Sequence, residues 1–445
     1  MAALRGCAAA FFGALLCIGL WPALVPPAGA VDSQGGAVHL GVATCSGSNC
    51  HGASERPPGS SVSGNEYIIW SKRDKHHQAY SVLLGERAIR MARAIGLPDA
   101  ANQKICLDCH ADNVPQDQRG RQFQLSDGVG CEACHGGAST WLGTHISGAG
   151  HRDNLAAGMY PTEQPVARAE KCLGCHFGDA TRFVDHRLIG AGHPRLAFEL
   201  DTFTAIEPAH FVVDSRYVER KGRITDMQVW GAGQAMALTA RMNALVDPRR
   251  ARHGLFPELV LFDCQGCHHP YDSLHAPQPT ASGLGPGTVK LNDANAVMLE
   301  VAASRAAPAA AKTLNAHMLA LHRATDADPA AVRREAEAVR TAAGSLIRPL
   351  ASHDFSSADI HAMVDAVIAL GNGPDGWRFS HAEQTTMALE AMATALQSAG
   401  AITADRMPAV RKVLDGLYAS FANESTFRSD VFAAGLRDFQ RTIKP

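Results

Sequence analysis

The sequence has little net charge and, beyond its first 30 residues, no apolar run of membrane-spanning length. Its 41 basic and 43 acidic side chains leave a formal charge of −2 over 445 residues. This balance gives no reason to expect nucleic acid as a partner. Because no later stretch is long and apolar enough to cross a bilayer, we expect no transmembrane segment in the mature chain.

The first 30 residues have the pattern of a secretory signal peptide. Arg5 supplies a short positive region, an apolar run occupies residues 7–21, and small residues at 28–30 form a cleavage pattern. The alternative is a retained membrane anchor, but the apolar run is short for a span. We therefore expect a periplasmic protein whose mature chain starts at Val31.

Beyond the signal segment, no cysteine falls outside a repeated pattern. Of the 12 cysteines, two lie in the signal segment and ten form five pairs, each followed directly by a histidine. The five motifs are Cys45/Cys50/His51, Cys106/Cys109/His110, Cys131/Cys134/His135, Cys172/Cys175/His176 and Cys264/Cys267/His268. The last four have the C-x-x-C-H spacing that attaches c-type haem. Two thiols must reach two vinyl groups on one porphyrin edge, and the next residue must turn its imidazole under the iron.

The first motif differs because four residues, Ser46 to Asn49, separate its cysteines. These residues are small and turn-prone, so they can bulge outward while the thiols keep their separation. We interpret the motif as a fifth haem site, although a disulfide beside an incidental histidine is the alternative. For the whole set, a zinc site or a disulfide framework would explain the cysteine pairs but not the histidine after each pair. The sequence therefore predicts five covalent haem c groups.

Each haem iron has a second axial position, which a further histidine can fill. Five more of the 21 histidines lie in the C-terminal region, which has no cysteine. Eleven others remain as possible distal ligands: His39, His76, His77, His145, His151, His186, His193, His210, His253, His269 and His275. There are more candidate histidines than distal positions to fill, so their number does not show whether one iron is left with an open position.

The composition of the chain changes near residue 290. Residues 31–289 hold all ten remaining cysteines and are rich in Gly, His and Pro. Near the end of this region, residues 277–286 form a Pro/Gly/Ser-rich linker. Residues 290–445 have apolar positions at helical spacing. We expect a mainly α protein with three segments: a signal peptide at 1–30, a loop-rich pentahaem cytochrome c domain at 31–289, and a haem-free bundle of five or six helices at 290–445.

The order of the motifs and their flanking residues resembles the cytochrome c-554 family of multihaem electron carriers. The matching runs are WSKRDKHHQAY, CLDCH, DGVGCEACHGG followed by WLGTH, and EKCLGCH, which together cover roughly residues 40–195. The family has four haems, three with two histidine ligands and one with an open position, and it carries electrons from hydroxylamine oxidation. This sequence departs from that pattern in its longer first motif, its fifth motif and its C-terminal bundle.

The resemblance implies roles for individual histidines. His76 would be the distal ligand of the third haem, opposite His135, and His145 that of the first haem, opposite His51. The second haem, at His110, corresponds to the family's open one.

The fourth and fifth haems have candidate distal ligands from the residues alone. His193 lies in a tight Gly/Pro turn and is preferred for the fourth haem, with His186 next. For the fifth haem the candidates are His210 and His269.

The resulting prediction is electron transfer through closely spaced haems, mostly with two histidine ligands, between a donor and an acceptor protein. The first alternative is an oxidoreductase that acts on a small nitrogen or sulfur compound at an open haem near His110, with Asp108 or Asp112 as an acid/base neighbour. The second is a structural or assembly role. The segment 290–445 is expected to dock a redox partner or a second copy of the chain, or else to cover an exposed haem edge.

Overall fold

Regular secondary structure in the described part of the chain is α-helical, as the sequence predicts. The computed structural model describes residues 36–55, 62–250, 258–268, 290–325, 328–372 and 377–444. The predicted signal peptide, the predicted linker and His253, His269 and His275 lie outside the described residues. Within them, isolated β-bridges such as that between His39 and Arg119 occur in place of strands.

The motif-bearing half consists of short helices separated by loops, and one long helix follows them. The helices are α1 (Glu66–Arg73), α2 (Glu86–Ala94), α3 (Lys104–His110), α4 (Cys131–His135), α5 (Leu142–Ile146), α6 (His151–Ala156), α7 (Pro165–His176), α8 (His186–Gly190), α9 (Leu200–Ile206), α10 (Ser215–Lys221) and α11 (Asp226–Val246). Helix α11 begins at a capping box of Thr225 and Gln228, and it ends before Asp247.

Among the described residues, seven α-helices follow the predicted boundary at residue 290. They are α12 (Ala294–Ala306), α13 (Pro308–Ala324), α14 (Pro329–Ser352), α15 (Ser357–Ala369), α16 (Phe379–Ser398), α17 (Met407–Ser420) and α18 (Ser429–Ile443). The expected count of five or six was wrong because the chain also breaks at Ala307 and at residues 421–428. Pro308 is the first residue of α13, where its missing N–H costs no helical hydrogen bond, so a new helix starts without a change in apolar spacing.

Helix α11 links the two halves of the fold. On one side Val229 and Ala237 pack with Leu173 of the fourth motif helix, α7. On the other side Trp230 and Leu238 belong to the hydrophobic core that α12–α18 form, and α11 packs along α14. Residues from 37 onward group into one compact unit. The domain boundary at 289/290 stays a prediction, since a helix from before it supplies part of the bundle's core.

A search of the described helices for a membrane span finds none with sufficient length and apolar character.

Candidate haem sites

Three of the motifs lie at the C-terminal ends of helices. Helices α3, α4 and α7 each end at the motif histidine, so the two cysteines stand at positions i and i+3 and the histidine at i+4. Residues at this spacing share one helix face. The helical geometry therefore brings both thiols and the imidazole to one side, as a single porphyrin requires. In the fifth motif, a short 3-10 helix over Cys264–Gly266 has the same role.

Each motif histidine has a second histidine ring facing it. The ring centroids are 5.9 Å apart for His51 and His145, 6.4 Å for His110 and His193, 6.5 Å for His135 and His210, 6.2 Å for His176 and His76, and 6.2 Å for His268 and His186. A metal–imidazole nitrogen bond is about 2 Å long, so two axial imidazoles on one metal have centroids about 6 Å apart. The five pairs thus fit a six-coordinate iron between two histidines.

Only one of the expected histidine pairings occurs in the structure. His145 faces His51, as the resemblance implies. His76 faces His176 instead of His135, and His210 takes the place opposite His135. The assignment failed because residues 74–76 follow α1 into the space beside α7, which the order of motifs along the chain does not reveal.

The remaining two pairings also differ from expectation. His193, expected at the fourth motif, faces His110 of the second, the position that the resemblance implies is open. His186, the second choice for the fourth motif, faces His268 of the fifth. Both residues belong to the α8 region, where Asp185 caps the helix and a turn at Gly192 follows. One short helix therefore directs two histidines to two different motifs.

The second ring nitrogen of four paired histidines contacts a fixed acceptor. His51 Nδ1 lies 3.0 Å from Glu66 Oε2, and His76 Nδ1 lies 3.0 Å from Asp74 Oδ1. His110 Nδ1 lies 2.9 Å from the carbonyl oxygen of Ala79. The corresponding distance from His193 Nδ1 to the Pro194 carbonyl is 2.8 Å. A proton on Nδ1 leaves Nε2 unprotonated, which is the form that binds a metal.

Burial favours the neutral imidazole at two motif histidines. Desolvation, aided by the nearby charge of His210, lowers the pKa of His135 to about 4. Desolvation and then His76 lower the pKa of His176 to about 4. Metal binding requires an unprotonated imidazole nitrogen, so both residues are in the binding form at neutral pH.

The ten motif cysteines are all described, and none is in a disulfide. Thiols from different motifs lie close enough to shift each other's pKa: Cys131 lowers the pKa of Cys45, and Cys109 lowers that of Cys175. Burial and then the charge of Glu207 raise the pKa values of Cys134 and Cys172 to about 12, and Cys172 is close enough to raise that of Cys134 further. The first motif therefore neighbours the third, the third neighbours the fourth, and the fourth neighbours the second.

A buried glutamate inside the third motif binds the backbone of residues 40 and 41, which precede the first motif. Glu132 is 4% exposed, and its carboxylate accepts backbone N–H groups of Leu40, Gly41 and Ala138 at 2.7 to 2.8 Å. Gly41 has φ +98°, and a Cβ there would lie 2.3 Å from Gln122 O. Only glycine therefore allows this close approach.

The acid/base candidates near His110 have structural partners. Asp108 accepts hydrogen bonds from Lys104 and from Asn113 Nδ2, and Asp112 pairs with the buried His39 at 2.6 Å. His151, another of the eleven spare histidines, pairs with Glu163 at 2.9 Å. His77 packs edge-on against Trp70 with a centroid distance of 4.5 Å.

Residues 44–136, which include the first three motifs, match the family described as "Cytochrome c554 and c-prime". No curated protein and no solved structure matches the chain. The family match supports a c-type cytochrome with covalently bound haem c that functions in electron transport with redox protein partners.

Proposed function

We propose that this protein is a periplasmic electron carrier with five covalent haem c groups, each between two histidines. The observation that carries the proposal is that five motif histidines each face one further histidine at 5.9 to 6.5 Å. The motif cysteines would hold the five groups, which supply reversible one-electron iron chemistry when bound. Two histidine ligands leave no position for a substrate, which favours electron transfer over catalysis.

The contacts between motif thiols support a path for the electrons. They favour the order first, third, fourth and second motif. The fifth motif joins this path near the fourth. Phe177, which directly follows the fourth motif, lies under the guanidinium of Arg241, and Cys264 of the fifth motif is close enough to act on the pKa of Arg241. The path is then branched at the fourth motif, and its three ends, at the first, second and fifth motifs, are the places where a donor and an acceptor would exchange electrons.

The place of His193 argues against the alternative of an oxidoreductase at His110. An open iron needs a space on the side away from the motif histidine, and His193 lies there, 6.4 Å away between ring centroids. Burial lowers the pKa of His193, which keeps its imidazole available as a ligand. Electron transfer is therefore the function that the geometry supports best.

Periplasmic location rests on the signal pattern of residues 1–30 and on the need for haem attachment outside the cytoplasm.

Docking of a redox partner or a second copy through residues 290–445 remains a proposal. The test is partner or self-association of the whole protein, measured with and without charge-reversal substitutions on exposed helix faces of the bundle.

Intact-mass measurement of the exported protein tests the haem count. We expect the mass of a chain starting at Val31 with five thioether-bound haems. A mass with four haems, and with Cys45 and Cys50 unmodified, would contradict the proposal for the first motif. The variant Cys45→Ser/Cys50→Ser provides the matched four-haem reference.

A further inference from the structure

A small cavity of about 30 Å³ lies between α7, α11 and α16. Leu173, Phe177 and Phe198 form an apolar part of its lining, and Arg195 and Arg241 are its two cationic side chains. This space suits a small anionic group such as a carboxylate, because the arginines supply positive charge beside it.

Arg241 is the unusual residue of this cavity. It comes from the apolar helix α11, its guanidinium lies over the Phe177 ring at 5.2 Å, and its Nε has no hydrogen-bond partner among the described residues. Burial, next to the like charge of Arg195, lowers the pKa of Arg241 to about 10, so the side chain is charged at neutral pH. Arg241 is half-buried, and its guanidinium has the Phe177 ring but no carboxylate at ion-pair distance among the described residues, so an anion would be favourable here.

Two further lining residues leave room for that anion. Ser380 is 7% exposed, and its hydroxyl also has no hydrogen-bond partner within the described ranges. Arg195 binds Glu383 at 2.7 Å, so the one lining carboxylate is already paired with the other arginine. A donor hydroxyl and an unpaired guanidinium together match the two oxygens of a carboxylate.

The fourth motif lines this cavity through Leu173 and His176, and the fifth motif lies beside it through contacts to α16. Gln265, inside the fifth motif, accepts the backbone N–H of Phe379 at 3.0 Å, and Phe379 directly precedes Ser380. The preceding residue, Asp263, pairs with Arg378 at 3.4 Å. Burial raises the pKa of the Cys264 thiol, and the positive charge of Arg195 opposes that rise.

We propose that Arg241 and Ser380 bind a carboxylate in this cavity, namely a propionate of the haem attached at Cys264 and Cys267. The inference rests on the proposed function. It assigns the C-terminal helices a part in the redox site, because α16 supplies the hydroxyl and α11 the guanidinium. A free carboxylate from solution has the same chemistry and is the occupant that the test must separate.

The test compares Arg241→Gln, Arg241→Lys and Ser380→Ala in the exported holoprotein, with Arg334→Gln at an exposed position as the matched control. Redox titration followed by absorbance and the resonance Raman band of propionate bending are the two readouts. We expect Arg241→Gln to lower one of the five midpoint potentials, since it removes a positive charge that favours the reduced haem. Arg241→Lys should retain most of the potential, and both Arg241→Gln and Ser380→Ala should shift the propionate band.

The same Arg241→Gln change in a Cys264→Ser/Cys267→Ser background identifies the haem. There the four remaining potentials should not respond to it. A response that persists would place the carboxylate on another haem and overturn the inference. Unchanged potentials and Raman bands in all three variants, or wild-type potentials that move only when acetate is added, would also overturn it. If Arg241→Gln does not accumulate, the Raman band of Ser380→Ala decides.

Intact mass separates this inference from the proposed function. A wild-type mass without a haem at Cys264 and Cys267 contradicts the five-haem proposal itself. A mass with five haems and unchanged spectra contradicts only the assignment of Arg241 and Ser380.

Discussion

At four of the proposed iron ligands, one residue accepts the Nδ1 proton of the histidine. The kind of acceptor determines how strongly the imidazole donates electrons to the iron. His51 and His76 face carboxylates, Glu66 and Asp74, whereas His110 and His193 face backbone carbonyls. A carboxylate partner makes the imidazole a stronger donor and favours ferric iron. The haems at the first and fourth motifs should therefore have lower potentials than the haem at the second.

The substitution Asp74→Asn tests this effect at one residue. The Asp74 carboxylate accepts the Nδ1 proton of His76 at 3.0 Å and the His76 backbone N–H at 2.9 Å. An amide keeps the shape but removes the charge, so we expect one midpoint potential to rise by about 60 mV, equivalent to a tenfold change in relative ferric affinity. Spectroelectrochemical titration measures it. Asp430→Asn, at an exposed carboxylate, is the control, and equal titration curves for the two variants would contradict the account.

The sequence was sufficient to identify the cysteines and histidine of each motif, but not the second histidine that faces each motif histidine. The cysteines and motif histidines stand out as five short patterns, and in α3, α4 and α7 they meet on one side because positions i, i+3 and i+4 share a helix face. His193 and His110 are 83 positions apart, and nothing in the residues around His193 indicates which motif it faces. The unpaired Arg241 did leave a signal, a single charge in the apolar run AMALTARMNALV of α11, which periodicity alone did not separate from a surface residue.

At the scale of elements, a buried ion network joins the bundle to the fifth motif. Asp293 accepts hydrogen bonds from Arg378, from His381 Nε2 at 2.7 Å and from His322 Nε2 at 3.1 Å. Arg378 also reaches Asp263, beside Cys264. Burial raises the pKa of Asp293, but the charges of Arg378 and His381 outweigh it and hold the pKa well below its ordinary value.

The substitution Asp293→Asn should cost about 3 kcal/mol at pH 7, because it removes the buried negative charge that Arg378, His322 and His381 share. A depressed carboxyl pKa contributes stability above the unfolded value, and this contribution is lost as the pH falls below it. The difference between variant and wild type should therefore shrink below about pH 4. Denaturant unfolding of the holoprotein at several pH values checks this, and a difference that grows on acidification would contradict it.

Helix α11 completes the hydrophobic core of the C-terminal helices, so we expect it to contribute to their stability. Trp230, Leu238 and Met242 are at most 2% exposed in that core, and each buried side chain of this size contributes about 2 kcal/mol. We expect residues 224–445 to unfold at a higher denaturant concentration than residues 290–445, with circular dichroism as the probe. Equal midpoints would support an independent domain that begins at residue 290.

At the scale of the whole molecule, the orientation of the paired rings differs between motifs. The rings are near parallel in two pairs, at 14° for His51 and His145 and 27° for His186 and His268. They are near perpendicular in the pairs at His110, His135 and His176, with angles of 87° to 90°. Parallel axial rings split the iron d orbitals that bond to them, whereas perpendicular rings leave those orbitals nearly equal in energy. The two classes of haem are therefore distinguishable by spectroscopy.

The electron paramagnetic resonance spectrum of the fully oxidised protein tests the central claim most directly. Five irons between histidine pairs should all be low-spin, two with ordinary rhombic signals and three with highly anisotropic ones. The integrated signals should account for five irons per chain, with no high-spin component. A high-spin signal equal to one iron would contradict the account, because it would show that at least one motif histidine has no partner across the haem.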